Sequence, residues 1–145
     1  MSCLSTDTEL SFAGAGGVAT DQAMRHQVWE LLSGTYPAIE RLERRAEQRF
    51  PFPHLIYLHP IALSEAVDHR ALVVVGKDIS ERGLGFYHRE PISHRRMIAS
   101  LLSHDDHWLA FLIDLSWCRF NKHGWYDSGG RLLGTARSPM EESRQ

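Results

Sequence analysis

Arg45-Ala46-Glu47-Gln48-Arg49 and, later in the chain, Asp78-Ile79-Ser80-Glu81-Arg82-Gly83 carry the residue types that could hold a guanine nucleotide. An arginine fork donates together to O6 and N7 of guanine, and its permanent charge pairs with phosphate. Two arginines four positions apart share one side of a helical turn, or flank a nucleotide from a flexible loop. Asp78 can accept from the N1–H and the exocyclic amine of guanine, a paired donor edge that adenine lacks. In an extended chain Ser80 shares the face of Asp78 and can donate to phosphate, while Gly83 permits positive φ or close backbone approach. The same residues have a purely structural alternative. Glu40, Glu43 and Glu47 can form exposed helix ion pairs with the neighbouring arginines, and Asp78 can open an Asx-type turn into a hairpin.

The elements that must position these residues follow from pattern. Residues 1–20 are rich in Ser, Thr, Gly and Ala and read as a flexible tail. No Lys-Ser or Lys-Thr pair follows Gly14, Gly16 and Gly17, so they do not make a phosphate loop. Thr20 or Asp21 is placed to cap a helix with apolar positions Met24, Val28, Leu31 and Leu32, supplemented by Trp29 and stopped by Gly34. After Pro37, positions Ile39, Leu42 and Ala46 suit a second helical turn or two, and Pro51 and Pro53 end any helix, leaving Arg49 near a helix end or in a loop.

Short strands are predicted over 55–58, 71–75 and 85–88, with a weaker candidate at 97–102. The clearest runs over 108–118, where Leu109, Phe111, Ile113, Leu115 and Trp117 alternate with Ala110, Asp114 and Ser116. Asn121 to Gly124 punctuates like a hairpin connection, residues 125–133 supply the return strand, and Gly129 and Gly130 allow a bulge or a close backbone approach. Residues 137–145 read as a flexible polar tail. Such strands, with helical material mainly at one end, favour an antiparallel barrel over a doubly wound sheet.

Bulk properties narrow the function. The 145 residues, 43% hydrophobic, suit one domain with its excess at the ends. A net charge of -2, from 16 basic and 18 acidic residues, gives no footprint for a nucleic-acid polymer, so an anionic partner must be captured locally. Cys3 and Cys118 are far apart and suggest neither a disulfide framework nor a cysteine-based zinc site. No stretch approaches the ~20 apolar residues of a membrane helix, and no signal-peptide pattern opens the chain. The expectation is a cytoplasmic protein without membrane insertion.

The segments "RRAEQRF" and "KDISERGLGF" resemble the PilZ family of bacterial cyclic di-GMP receptors, and "LIDLSWCRFNKHGWYDSGGRLLG" is similar to the closing strand pair of that domain. The resemblance covers about residues 41–135. It implies a mainly β protein: a six-stranded antiparallel β-barrel of the split-barrel type, residues 41–136 including an arginine switch loop, behind a helical extension at 21–40. It further implies a non-catalytic receptor that takes cyclic di-GMP as ligand and needs no cofactor. In that reading Arg45 and Arg49 lie on the switch loop, and Asp78, Ser80 and Gly83 lie on the barrel surface. Ligand binding orders the loop and signals to a protein partner. Arg44 resembles an additional basic position beside the clamp. Trp117 matches a position where some members place an aromatic residue beside the ligand, whereas its alternation with Ile113 and Leu115 predicts a core side chain. A ligand-independent interaction module is the alternative on the same barrel.

Other constellations carry less. His104-Asp105-Asp106-His107 offers metal-ligand types at a spacing that also suits a polar turn, with no second half-site. Neither Ser80 nor Ser116 has the surroundings of a nucleophile elbow, and Cys118 sits in a strand pattern without an adjacent base.

Overall fold

The computed structural model describes residues 17–38, 48–61 and 70–142. The expected tail up to residue 16 and the second helical turn around Ile39, Leu42 and Ala46 lie outside the described residues. The chain runs α1 (Gly17–Thr35), β1 (Phe50–Pro51), β2 (Leu55–Pro60), β3 (Leu72–Ile79), β4 (Gly83–His88), β5 (Arg96–Leu102), β6 (Trp108–Phe120), β7 (Tyr126–Ala136) and α2 (Pro139–Glu142).

Six of the strands close into a ring in the order β3-β2-β5-β6-β7-β4, with β4 returning to β3 and every pairing antiparallel. This is the expected six-stranded barrel. The seventh strand, β1, is an addition that no local propensity announces. It lies outside the ring on β3, with Phe50 opposite Ile79 and Pro51 opposite Asp78. Beyond the last β5 pairing at Asp114, β6 is paired in the sheet only with β7 among the described residues, and because β7 is held there by β4 on its other side, the end of β6 is a sheet edge. Asn121 closes the β6–β7 hairpin: its Oδ1 accepts the N–H groups of His123 and Trp125, and Gly124 takes a φ of 86° at the turn.

Phe86, Phe111, Ile56, Leu58, Ile79, Leu84, Met97, Leu101 and Ile113 fill the interior. Met24, Val28, Leu31 and Leu32 of α1 join the same cluster, so the helical face read from the sequence is the buried one. The start of the helix differs from expectation. It begins at Gly17, so Thr20 and Asp21 lie inside it rather than at its cap. Gly34 does not stop it either. A Cβ there would come within 2.8 Å of the His104 ring, so this glycine lets the last turn pack against the β5–β6 connection, and Pro37 follows just beyond the end.

The helix crosses the barrel end that carries the β3–β4 and β5–β6 connections. Gln27 Nε2 donates to the Ala110 carbonyl at 3.1 Å, and Trp29 Nε1 donates to Glu81 Oε2 at 2.5 Å. Tyr36 Oη donates to the Pro51 carbonyl. A bond from a nearly buried indole to a carboxylate is worth about 1.5–3 kcal/mol. We expect Trp29→Phe to lose roughly 1–2 kcal/mol in urea denaturation, and Glu81→Gln to lose less because its amide oxygen still accepts.

Both faces of β6 are partly covered, which its simple alternation does not predict. Ala110 and Leu112 are buried on the outer side with Ile61 and Ile98, with Leu133 and Ala136 packed against them. The chain after β7 turns back over this side: Ser138, 2% exposed, donates from Oγ to Ser100 Oγ at 2.7 Å. Thus the stretch read as a polar tail contributes a buried serine and the helical turn α2. The His104–His107 segment forms the polar turn: Ser103 Oγ accepts from the N–H groups of Asp105 and His107, and Asp106 takes a φ of 62°. No group of metal-ligating side chains is gathered there or elsewhere among the described residues.

Candidate functional site

The hairpin β3–β4 builds the acceptor half. Leu84, Phe86 and His88 point into the barrel, so Gly83, Gly85 and Tyr87 take the outer face. On β3 the period of two breaks. Gly76 lies opposite Phe86 and Asp78 opposite Gly85, leaving Lys77 as an extra residue in a bulge. A bulge re-aims side chains, and Lys77 and Asp78, though sequence neighbours, are both partly exposed. Beyond Ile79 the strand ends. Ser80 N–H donates to the Gly83 carbonyl at 2.9 Å, and Ser80 Oγ accepts from the Arg82 N–H at 3.2 Å. Ser80 is therefore a turn residue, 4% exposed, rather than a second side chain beside Asp78. Arg82 is exposed.

The arginine half arrives through β1. Its register on Ile79 and Asp78 brings the preceding residue, Arg49, to the end of β3. Arg49 Nη1 lies 2.7 Å from Asp78 Oδ1, and a Cβ at Gly83 would come within 3.0 Å of Arg49 Nη2. Asp78, Gly83 and Arg49 thus converge, although the first two are separated from the third by a whole strand. Phe50 secures the approach, its ring held by Trp29 at 5.6 Å and Tyr36 at 6.2 Å between centroids. The Arg49 side chain is 45% exposed and that of Asp78 21%. An ion pair this open contributes no more than about 1 kcal/mol and can be exchanged for a better partner. Arg44 and Arg45 lie outside the described residues.

Across the barrel surface the registers place Asp78 opposite Gly85, Gly85 opposite Gly129, and Gly129 opposite Trp117. Asp78 leans over the first glycine, where a Cβ would meet its Oδ1 at 2.7 Å, and Trp117 leans over the second, where a Cβ would meet its ring at 2.5 Å. A glycine-floored trough therefore runs from a carboxylate to an indole. The core placement that alternation predicts for Trp117 is corrected. Leu115 pairs with Gly130 and Trp117 with Gly129, so Ser116 is a bulge that moves Trp117 off the face of Ile113 and Leu115 and onto the outer surface.

Trp117 is flanked by cations. Lys77 Nζ lies 5.4 Å from its ring centroid and 5.7 Å from that of Tyr87, and the Arg119 guanidinium is 5.0 Å from Trp117. Lys77 Nζ also contacts both Asp127 oxygens, at 3.1 and 3.3 Å. Sequence reasoning identifies neither Lys77, Gly85, Tyr87 nor Asp127 as part of this surface. The Gly129-Gly130 pair, read as a close-approach signal, and the resemblance of Trp117 to a ligand-side aromatic position are the pointers to it in the sequence. An acceptor, three cations, an aromatic ring and a floor without side chains suit a flat, polar, anionic ligand.

The closed six-stranded antiparallel barrel with its N-terminal helix matches the PilZ-like fold that the resemblance implies. In fold the chain is similar to the inhibitor of motility MotI/DgrA of Bacillus subtilis, at 11% identity and TM-score 0.48, covering 70% of this chain and 48% of that one. It is also similar to K. pneumonia MrkH in its apo state, at 13% identity and TM-score 0.44, covering 71% of this chain and 49% of MrkH. The MrkH complex with c-di-GMP is matched at 15% identity and TM-score 0.39, over 71% and 49% of the two chains. The chain spans about half the length of these proteins. No protein-family model and no curated protein matches it.

Proposed function

We propose that this chain is a cyclic di-GMP receptor. The observation that carries the reading is the meeting of Arg49, Asp78 and Gly83, two motifs distant in sequence brought into contact by the β1 register. In this reading Asp78 accepts from the guanine N1–H and amine, and Arg49 exchanges its weak pairing with Asp78 for guanine and phosphate oxygens. Arg45 joins from the preceding segment, with Arg44 in support. Trp117 offers its ring to a base. Ser80 and Gly83 shape the hairpin so that the arginine and a phosphate can approach its backbone. The receptor does no chemistry on its ligand and works in the cytoplasm.

Ordering the arginine segment takes up conformational entropy, so a signal emerges only if the ligand favours the closed arrangement. Phe50 and Glu81 tie the two halves of the site to α1, which makes the helix the route by which closure reaches a protein partner. A second reading, a ligand-independent interaction module, draws on Leu55, Val73 and Val75, whose exposures of 52%, 49% and 39% leave an apolar strip outside β2 and β3.

Calorimetric titration of the intact protein decides between them. Cyclic di-GMP is expected to release heat at a saturable site and cyclic di-AMP is not. Silence with both at saturating concentrations would sink the receptor reading and leave the interaction module.

A further inference from the structure

We infer that Lys77 is a specificity-determining residue of this site, reading the O6 acceptor of guanine beside the donor edge that Asp78 reads. The inference rests on the receptor reading and extends it to a residue to which neither motif gives a role.

In an unbroken strand, residues 77 and 78 would face opposite sides of the barrel. The bulge between Gly76 and Asp78 brings both to the outer surface. A carboxylate and an ammonium on consecutive positions then present acceptors and donors side by side. The Watson–Crick edge of guanine has the complementary order: two donors, N2–H and N1–H, followed at once by the acceptor O6. A carboxylate covers the donor pair, and the group next to it must donate. Adenine carries an amine donor in place of O6, which an ammonium cannot satisfy, so the lysine opposes adenine as well as favouring guanine.

Lys77 is also held where such a role needs it. The two Asp127 contacts at 3.1 and 3.3 Å fix the ammonium over the β4–β7 side of the trough, and an ammonium has a third donor beyond those two. Its 31% exposed side chain lines the trough on the side of Tyr87, while Arg49 stands over Gly83 on the other. The base site is thus bounded by Asp78 and Trp117 at its ends and by two cations along its sides.

The test compares Lys77→Met and Asp127→Asn with the unaltered protein, each titrated with cyclic di-GMP and with its bis-2-aminopurine analogue, which lacks O6 and, with it, the N1–H from which Asp78 would accept. Lys77→Met is expected to weaken cyclic di-GMP by about tenfold or more, the effect of one charge-assisted hydrogen bond, and to leave the analogue's weaker affinity unchanged. Asp127→Asn is expected to keep most of the affinity, because the lysine remains. An equal loss of both ligands in Lys77→Met would overturn the inference in favour of general charge attraction. Equal losses in the two variants would overturn it in favour of a brace for Trp117. No loss in Lys77→Met would remove the residue from the site. Absence of cyclic di-GMP binding to the unaltered protein would instead defeat the receptor reading itself, and the inference with it.

Discussion

Arg49→Ala is expected to weaken cyclic di-GMP binding on the order of a hundredfold while leaving thermal stability almost unchanged. The two halves of that expectation have different physical sources. Arg49 is largely open to solvent and its pairing with Asp78 is an exposed one, so its loss removes little folding free energy. In the liganded state the same guanidinium makes charge-assisted bonds in a fork geometry, and each such bond is worth about 1.5–3 kcal/mol. Arg49→Lys should recover little, because a point charge cannot reproduce the fork. Calorimetry alongside a melting curve checks both parts. An unchanged affinity would take Arg49 out of the site, and a large fall in melting temperature would make it a structural residue.

The largest effect on stability is expected from Gly76→Ala, at about 3 kcal/mol. A Cβ at this position would sit 2.2 Å from the Phe52 carbonyl oxygen and 2.9 Å from that of His54. Both are backbone atoms, which cannot swing aside as a side chain can. The Phe52 N–H bonds the Lys77 carbonyl and the Gly76 N–H bonds the His54 carbonyl, so the clash falls on the seam that docks the segment after β1. Because β1 also delivers Arg49, ligand affinity should fall with stability. Denaturant titration measures the first and calorimetry the second. A variant as stable as the parent would mean that the seam can open without cost.

The sequence is legible where pattern and local chemistry agree. The face of α1 carrying Met24, Val28, Leu31 and Leu32 is buried as its spacing predicts, and each predicted strand lies within an observed one or overlaps it closely. What could not be read depends on register. β1 exists because Phe50 and Pro51 meet the end of β3, not because two residues between prolines favour a strand. The bulges at Lys77 and Ser116 change which side of the barrel a residue faces, and a period of two offers no warning of either. Lys77 is therefore invisible as a neighbour of Trp117, and parity alone places Trp117 in the core while the resemblance places it beside the ligand. The roles of the arginines divide in the same way: Arg49 is placed by β1, whereas Arg44 and Arg45 belong to residues outside those described.

Closure of the ring has a further consequence for a protein built mostly of strands. Open sheet edges template intermolecular pairing and, with it, aggregation. Among the described residues closure leaves two short stretches of that kind, and each is blunted. The outer edge of β1 contains Pro51, which has no N–H to offer a newcomer, and Pro53 follows it. The β6 edge beyond Asp114 is interrupted by the Ser116 bulge and carries the exposed cation Arg119, with Lys122 in the turn that follows. A strand from a second molecule would have to seat itself beside a kinked edge that carries charge, which disfavours edge-to-edge association.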